Sequence, residues 1–499
     1  MSGVALEKGS SCKKDMSETK KLGIVVVGAS GDLAQTKVLP ALFALYCQNF
    51  LPEQFNIFGL ARTEMDNAAF RNKVAENLTC RYAPGESCAD RAEEFLQRCF
   101  YCQGQYSSSD SFLDLFELMR EVEGGGPVNR IFYMAIPPSV FQEVARALGD
   151  SGLVACDDSE GWSRIVVEKP FGRDRESSDR LVEEMQAVFT EEMTYRIDHY
   201  LGKEIVQNLM VLRFANLIFE PLWNKNYIES VSIKWAEPIG VGQRGGYFDG
   251  FGIIRDVMQN HLLQILALLA MERPVEYSAA AVRNAKVTLL KSIAPLTLDR
   301  VAIGQYGPSL SGQQPAYVAA PNVPADSLTP TYAAAVLKIT NSRWEGVPFF
   351  IEAGKALNRK INEVRIRFRA VPSGLFGNTA AVLHPNELIM RIQPDEAIVL
   401  RIMNKIPGIA LDLAPTELNL RYQSAFSALI PDAYECLLLD VIEGDRSLFI
   451  RADELNAAWD VFTPLLHQME AERREPEIYP YGSAGPGSGR ELARRHGFP

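Results

Sequence analysis

The chain has 499 residues, 47% of them apolar and 23% charged, a composition that suits a soluble globular protein of two or three domains. A net charge of -11 repels phosphate polymers, and with no basic run or strip of basic and aromatic residues, nucleic acid is not an expected partner. The most apolar stretch, Leu262 to Met271, is interrupted by Gln264 and falls far short of the roughly 20 residues a bilayer span requires, so no membrane partner is expected.

Residues 1–21 are rich in Ser, Lys and Glu and contain no apolar h-region. They read as a disordered tail and not a secretory signal, which makes the cytoplasm the default compartment. From Leu22 to about Gly172, short apolar runs alternate with helix-length amphipathic segments, the signature of βαβ units around a parallel sheet. "LGIVVVGAS", "FNIFGLAR", "NRIFYMAIPP" and "SRIVVEKP" read as strands, with helical spacing in Ala34 to Asn49 and Ser139 to Leu148. A doubly wound, Rossmann-like domain is the expectation for 22–195. The eight cysteines are scattered and suggest reduced thiols, not a disulfide framework. Cys99 and Cys102 form one "CFYC", but a structural zinc site needs four ligands and Cys80 and Cys88 have the wrong spacing for a second knuckle, so no metal is expected.

"KLGIVVVGASGDLAQTK" is an apolar strand followed by a small-residue turn and a helix. Glycines there let the backbone approach a pyrophosphate, and free N–H groups at the helix start offer it partial positive charge. The turn Gly28, Ala29, Ser30, Gly31, Asp32 and Leu33 is therefore the candidate nucleotide contact, although Ser30 and Leu33 stand where the standard pattern has glycine. A plain tight turn would show the same residues. At the end of the second strand, "FGLARTE" offers Arg62 where an enzyme using unphosphorylated cofactor carries an acid, which favours NADP.

"EKPFG" follows a parallel strand and places Lys169 at the carboxyl edge where doubly wound sheets bind ligands; an exposed loop lysine is the plainer reading. "RIDHYLGKE" then groups Asp198, His199, Tyr200 and Lys203, and on a helix His199 and Lys203 would share a face. Beyond Arg196 the texture changes to a long helical stretch, "IIRDVMQNHLLQILALLAM", then strands such as "EVRIRFRAV", "ELIMRIQP" and "AIVLRIMNK". Such alternation suits a larger α+β domain over 196–499 with a mainly antiparallel sheet. Gly304 to Thr329 reads as loop and "YPYGSAGPGSGR" as mobile. His261 falls four residues after Val257 and four before Ile265, on an apolar helix side. Such a histidine is usually structural, yet it is what a general base needs if a carboxylate fixes its tautomer, and Asp198 is the candidate.

"GASGDLA", "EKPFGRD", "RIDHYLGKE", "FGIIRDVMQNHLLQ" and "GKALN" occur in the order seen in the glucose-6-phosphate dehydrogenase family, which the chain resembles from about Leu22 to Gly482. The resemblance implies oxidation of glucose 6-phosphate at C1 to the lactone with reduction of NADP. It implies that His261 is the base and Asp198 its orienting carboxylate, and that His199, Tyr200 and Lys203 hold the substrate phosphate. It further implies that Lys169 touches sugar and cofactor, that Glu237 and Asp256 accept sugar hydroxyls, and that Lys355, Lys360 and Gln393 are further substrate contacts. A different basic residue is common at the position of Lys360. A homo-oligomer, dimer or tetramer, built through the large sheet is implied as well.

Many eukaryotic members carry a second, structural NADP. Here Arg365, Arg391 and Arg401 remain, but Glu352, Ile361 and Ala484 stand where that site has positive charge, so one NADP per subunit is expected. A glucose-fructose oxidoreductase-like dehydrogenase would share the nucleotide domain and the "EKP" strand end without needing "DHYLGK". A silent NADP-sensing regulator would not need the full set of Asp198, His261, Lys169 and Lys203.

Overall fold

The structure is a computed structural model that describes residues 21–82, 87–154, 161–372, 383–426 and 429–498. The expected tail up to residue 20, with Cys12, and also Cys156 lie outside the described residues. The chain forms two compact units: one takes Met1–Glu168, Met185–Tyr195 and Leu438–Gly444, the other Lys169–Glu184, Arg196–Leu437 and Asp445–Pro499.

The smaller unit is organised by β1 (Lys21–Val27), β2 (Phe55–Ala61), β3 (Cys99–Gln103), β4 (Val128–Met134), β5 (Ser163–Glu168) and β6 (Thr194–Ile197), in the order β3-β2-β1-β4-β5-β6. β1 pairs parallel with β2 on one side and β4 on the other, so the strand order reverses direction beside β1. That is the switch point at which doubly wound sheets bind ligands. Ile24, Val25, Val26 and Val27 are all fully buried, as a strand covered on both faces requires. Two strands were not legible in the sequence, β3 and β6. In β3, Cys99 and Tyr101 face inward while Phe100 and Cys102 are half-buried, so the "CFYC" spacing puts its two thiols on opposite faces of a strand.

Cys80 and Cys88 are joined by a disulfide with their Cα atoms 5.7 Å apart, which corrects the expectation of reduced thiols at that pair. Cysteines scattered through a long chain give no sign that one pair is brought together by the start of the helix Ser87–Gln97. Cys47, Cys99, Cys102 and Cys436 are not in disulfides.

The larger unit is built on β7 (Ile228–Ala236), β8 (Val301–Ser309), β9 (Tyr332–Lys338), β10 (Pro348–Gly354), β11 (Ile361–Phe368), β12 (Glu387–Gln393), β13 (Ala397–Lys405), β14 (Leu413–Arg421) and β15 (Glu477–Tyr481). Their order is β14-β13-β12-β11-β7-β10-β9-β8-β15, antiparallel except for the β7–β10 and β8–β15 pairs. The alternation in "EVRIRFRAV" is real: Val364 and Ile366 are buried while Arg365 and Arg367 are half-buried. The apolar helix Leu263–Ala270 is buried on every side, and it continues a π-helical segment, Ile254–Leu262, that packs against β7 and β10.

Two loop expectations are corrected. The first six residues of Gly304 to Thr329 belong to β8, where Gly304 is small because β15 lies against it: a Cβ there would come within 2.9 Å of Pro486 and 3.1 Å of the Glu477 carbonyl. "YPYGSAGPGSGR" is ordered as the end of β15 and the helix Gly487–Arg495, whose first amides, Gly487 and Ser488, donate to Glu477 at 2.8 and 2.9 Å. Tyr479 is buried and its hydroxyl donates to the Lys355 carbonyl at 2.7 Å. Composition marks such residues as breakers, but cannot register the neighbour that makes a breaker necessary.

Candidate active site

β6 ends at Ile197, and Asp198 to Gly202 then form consecutive turns, with Leu201 N donating to Asp198 O at 3.0 Å and Lys203 N to Tyr200 O at 3.1 Å. The helix begins only at Glu204, so His199 and Lys203 are not one helical turn apart as the spacing suggested. Gly202 makes the turn possible, because any Cβ there would collide with the Ala433 carbonyl. Asp198 is 1% exposed. One of its oxygens accepts the Tyr200 amide at 3.0 Å and lies 2.5 Å from His261 Nδ1.

His261 comes from the π-helical segment, an i→i+5 winding that occurs often at functional sites. It is 4% exposed, its ring stacks on Tyr200 at 4.2 Å, and the His199 ring meets it edge-on at 4.7 Å. Burial by itself would raise the Asp198 pKa, but the His261 and His199 rings and the Tyr200 amide outweigh it and bring it to about 2. The carboxylate therefore stays ionised. For His261, burial lowers the pKa, with Lys169 acting the same way, and the pull of Asp198 does not fully offset them. His199 is depressed further, by burial first and then by His261 and the two lysines Lys169 and Lys203. Both imidazoles are thus neutral at pH 7. With the Asp198 carboxylate facing Nδ1, the proton of His261 sits on that nitrogen and the lone pair of Nε2 is free.

Lys169, one residue past β5, donates to the Asp256 carbonyl at 2.6 Å and to its carboxylate at 3.0 Å. The Asp256 pKa is lowered: burial opposes ionisation, and Lys169, Lys355 and His261 together overcome it. A second pair, Lys355 to Glu237, closes at 2.8 Å, and Lys355 Nζ lies 5.1 Å from the centre of the Trp235 ring. "GKALN" bends back through Ala356, whose φ of 53° is in the left-handed region, and the Leu357 amide donates to the Glu237 carbonyl at 2.9 Å. Lys203 Nζ is 5.0 Å from the Tyr200 ring centre. Gln393 ends β12 directly opposite Asn362 of β11. Lys360 is exposed ahead of β11, and among the described residues no partner holds it.

The structure therefore draws Lys169, Asp198, His199, Tyr200, Lys203, Glu237, Asp256, His261 and Lys355 into one charged, largely buried group within the larger unit. Sequence reading missed three side chains that shape it. Trp235 and Asn362 both donate to the Tyr200 hydroxyl, at 2.7 and 3.0 Å, and Tyr434 stacks parallel to His199 at 6.0 Å. None lies in a recognisable motif; strand register brings the first two there. Asp198, His199 and His261 are close enough to share a cation, but the nearest Asp198 oxygen and Nδ1 already bind each other.

In the smaller unit the turn after β1 has Gly28 at φ 87°, where a Cβ would strike the Ala135 carbonyl, so no other residue fits. Ala29 is buried, and Gly31, Asp32 and Leu33 lead into the π-helical turn Ala34–Val38, where the Gln35 amide donates to the Gly31 carbonyl at 3.1 Å. Ser30 bonds the Thr63 hydroxyl at 2.9 Å and its carbonyl accepts Lys73 at 2.9 Å, two contacts the motif did not announce. Arg62 directly follows β2, exposed, with its guanidinium 5.3 Å from the Tyr106 ring. The glycine cradle lies at the switch point, and the exposed Arg62 guanidinium beside Tyr106, at the tip of the adjacent strand, offers positive charge to a bound nucleotide.

A parallel nucleotide-binding sheet and a buried carboxylate–imidazole pair set among paired lysines define an oxidoreductase with a nucleotide-binding domain. The chain belongs to the glucose-6-phosphate dehydrogenase family: that family's NAD binding domain matches residues 25–208 and its C-terminal domain residues 210–499. A chloroplastic glucose-6-phosphate 1-dehydrogenase of Spinacia oleracea is 51% identical over 488 residues, 97% of this chain and 84% of the relative. A glucose-6-phosphate 1-dehydrogenase of Dictyostelium discoideum is 48% identical over 482 residues, 96% and 94% of the two chains. A solved glucose-6-phosphate dehydrogenase in complex with its substrate glucose-6-phosphate superposes with TM-score 0.90 at 43% identity, covering 96% of this chain and 98% of its own. A glucose-6-phosphate 1-dehydrogenase from Mycobacterium avium gives 0.81 at 31% identity, covering 95% and 97%.

Proposed function

We propose that the chain oxidises glucose 6-phosphate at C1 to 6-phosphoglucono-δ-lactone with hydride transfer to NADP, the first step of the oxidative pentose phosphate pathway. The observation that carries this reading is the 2.5 Å contact between Asp198 and a neutral, buried His261, ringed by Lys169–Asp256 and Lys355–Glu237. His261 Nε2 takes the C1 hydroxyl proton as the C1–H bond gives up its hydride and the carbon–oxygen double bond forms. Asp198 keeps the imidazole in the required tautomer and stabilises the cation formed on proton uptake. His199, Tyr200 and Lys203 hold the substrate phosphate; Glu237 and Asp256, poised by their lysines, accept sugar hydroxyls; Lys355, Lys360 and Gln393 add contacts. Lys169 serves sugar and cofactor.

NADP, when bound, supplies the hydride acceptor, and Gly28, Ala29, Ser30, Gly31, Asp32, Leu33 and Arg62 would hold it. No metal is required, because the imidazole handles the proton. We further propose one nucleotide per chain. At the place of a second dinucleotide, Glu352 binds Lys234 at 3.1 Å and the Tyr332 hydroxyl at 2.9 Å, Arg365 is held by Glu363 and Glu387, and Arg401 by Glu387 and Glu417. Charges already satisfied within the protein have little left for a pyrophosphate. We take 22–195 as the nucleotide-binding domain and 196–499 as the substrate and assembly domain. No helix among the described residues is long and apolar enough to cross a membrane. The cytoplasmic placement rests on residues 1–21 having no apolar h-region, while relatives in Spinacia oleracea and Solanum tuberosum are chloroplastic.

The test is to mix the protein with NADP and glucose 6-phosphate, then with NAD and with unphosphorylated glucose, and to follow nicotinamide absorbance. Reduction confined to the first mixture is expected; equal rates with both sugars would remove the phosphate socket from the reading.

A further inference from the structure

Tyr200 is 5% exposed, and two donors reach its hydroxyl from the sheet. Trp235 Nε1 on β7 donates at 2.7 Å and Asn362 Nδ2 on β11 at 3.0 Å. These two residues face each other across the β7–β11 pair, so their positions are fixed by strand register and not by flexible loops. A third member of the row, Gln393, stands opposite Asn362 because β12 carries an extra residue, Ile392, at that point. An indole N–H can only donate, and a phenol oxygen has room for two incoming bonds beside its own outgoing proton. With both acceptor positions filled, what the hydroxyl still offers is a proton.

We infer that Asn362 and Trp235 are positioning residues that turn Tyr200 into a pure hydrogen-bond donor, and so select an oxyanion, the phosphate of the sugar, over any ligand group that must itself donate. Burial raises the Tyr200 pKa, which keeps the hydroxyl protonated at every physiological pH. Lys203, 5.0 Å from the same ring, is a donor only as well, so the socket presents protons from both sides. A dianionic phosphate, whose terminal oxygens are all acceptors, fits; a sugar hydroxyl or a protonated phosphate forfeits part of its bonding. The Asn362 carbonyl oxygen has no partner among the described residues, and an amide turned the other way would present that oxygen to Tyr200 and draw the phenolic proton inward. The two arrangements predict opposite signs.

This inference rests on the proposed substrate, and a double-mutant cycle separates the two. Asn362→Ala and Asn362→Leu are each measured with and without Tyr200→Phe, recording kcat and KM for glucose 6-phosphate and for glucose. Trp235 is left intact because it also lies under Lys355. Each Asn362 variant is expected to raise KM for glucose 6-phosphate by about tenfold, the scale of one hydrogen bond to a charged group, with kcat within about twofold. Neither should change KM for glucose, and neither should add to the effect of Tyr200→Phe. A KM that falls, a KM that does not move, or an equal rise in the Tyr200→Phe background would each overturn the inference while leaving the substrate assignment in place. A wild-type protein indifferent to the phosphate would take both down. Retained kcat in the Leu variant shows that the fold and the base are intact.

Discussion

Asp198 and His261 meet deep in the larger unit, and the way each perturbs the other sets the pH range in which the pair can work. Burial and Lys169 hold the His261 pKa below the ordinary 6.5 despite Asp198, so the base is unprotonated at neutral pH and kcat/KM should fall only as the medium is acidified through that lowered value. In Asp198→Asn the charge that raises the imidazole's proton affinity is gone. The acid limb of the kcat/KM profile should move to lower pH and the plateau should drop; an unmoved limb would dissolve the pair. His261→Asn should lose on the order of 10²- to 10⁴-fold in kcat, the usual contribution of a positioned base, with NADP affinity from fluorescence titration unchanged. At this scale the motifs carried far: Asp198, His261 and the lysines around them all stand in stretches that resemble the family, and the structure brings Asp198 and His261 into contact at 2.5 Å. Trp235 and Asn362 were not, since nothing in "IKWAEP" or "KINE" states which strands are neighbours.

The elements were legible where their periodicity was plain and obscure where tertiary contact replaced it. Strict alternation marked β11 and a looser alternation β12 and β13, and the apolar run marked Leu263–Ala270, but the π winding of Ile254–Leu262 has no periodic signature in so short a segment. "RIDHYLGKE" passes for a helix start; in the structure it is a strand end and a turn that reaches the helix only at Glu204, and Gly202 leaves room there for the Ala433 carbonyl. Helix pairing contributes a test of its own. Lys286 of Ala279–Lys291 and Glu454 of Ala452–Ala471 form a 2.7 Å ion pair with both side chains wholly buried. Removing one partner, as in Glu454→Leu, should cost about 3–5 kcal/mol of stability, because a lone buried charge remains. Lys286→Met with Glu454→Leu together should be close to neutral or stabilising, since the desolvation of both charges is avoided. Thermal unfolding of the two single variants and the double variant decides between an ion pair that supports the fold and one the fold merely tolerates.

For the molecule as a whole, family matches covering residues 25–208 and 210–499 make the architecture that of glucose-6-phosphate dehydrogenases. A bare, apolar edge strand of a large sheet invites pairing with another chain. β14 is such an edge: Leu418 and Leu420, two residues apart and so on one face, are 60% and 40% exposed, with Ile409 and Leu411 uncovered in the preceding loop. We propose that the chain self-associates and that this region is part of the contact. Leu418→Glu with Leu420→Glu should shift the protein toward monomer in size-exclusion chromatography with light scattering, while leaving the Asp198–His261 pair intact. A wild-type monomer, or an oligomer untouched by both changes, would remove β14 from the assembly.

The sequence by itself determined the two kinds of sheet, the nucleotide turn and the inventory of reacting groups, because hydrophobic period, glycine placement and residue chemistry are local properties. Tertiary structure alone decided that Lys169 closes on Asp256 and Lys355 on Glu237, that Cys80 reaches Cys88, that the glycine-rich end of the chain is a strand and a helix, and that two donors converge on Tyr200. Those outcomes depend on which segments lie side by side, and the free energy that chooses neighbours is summed over the whole packed core, where no short stretch of residues can reveal it.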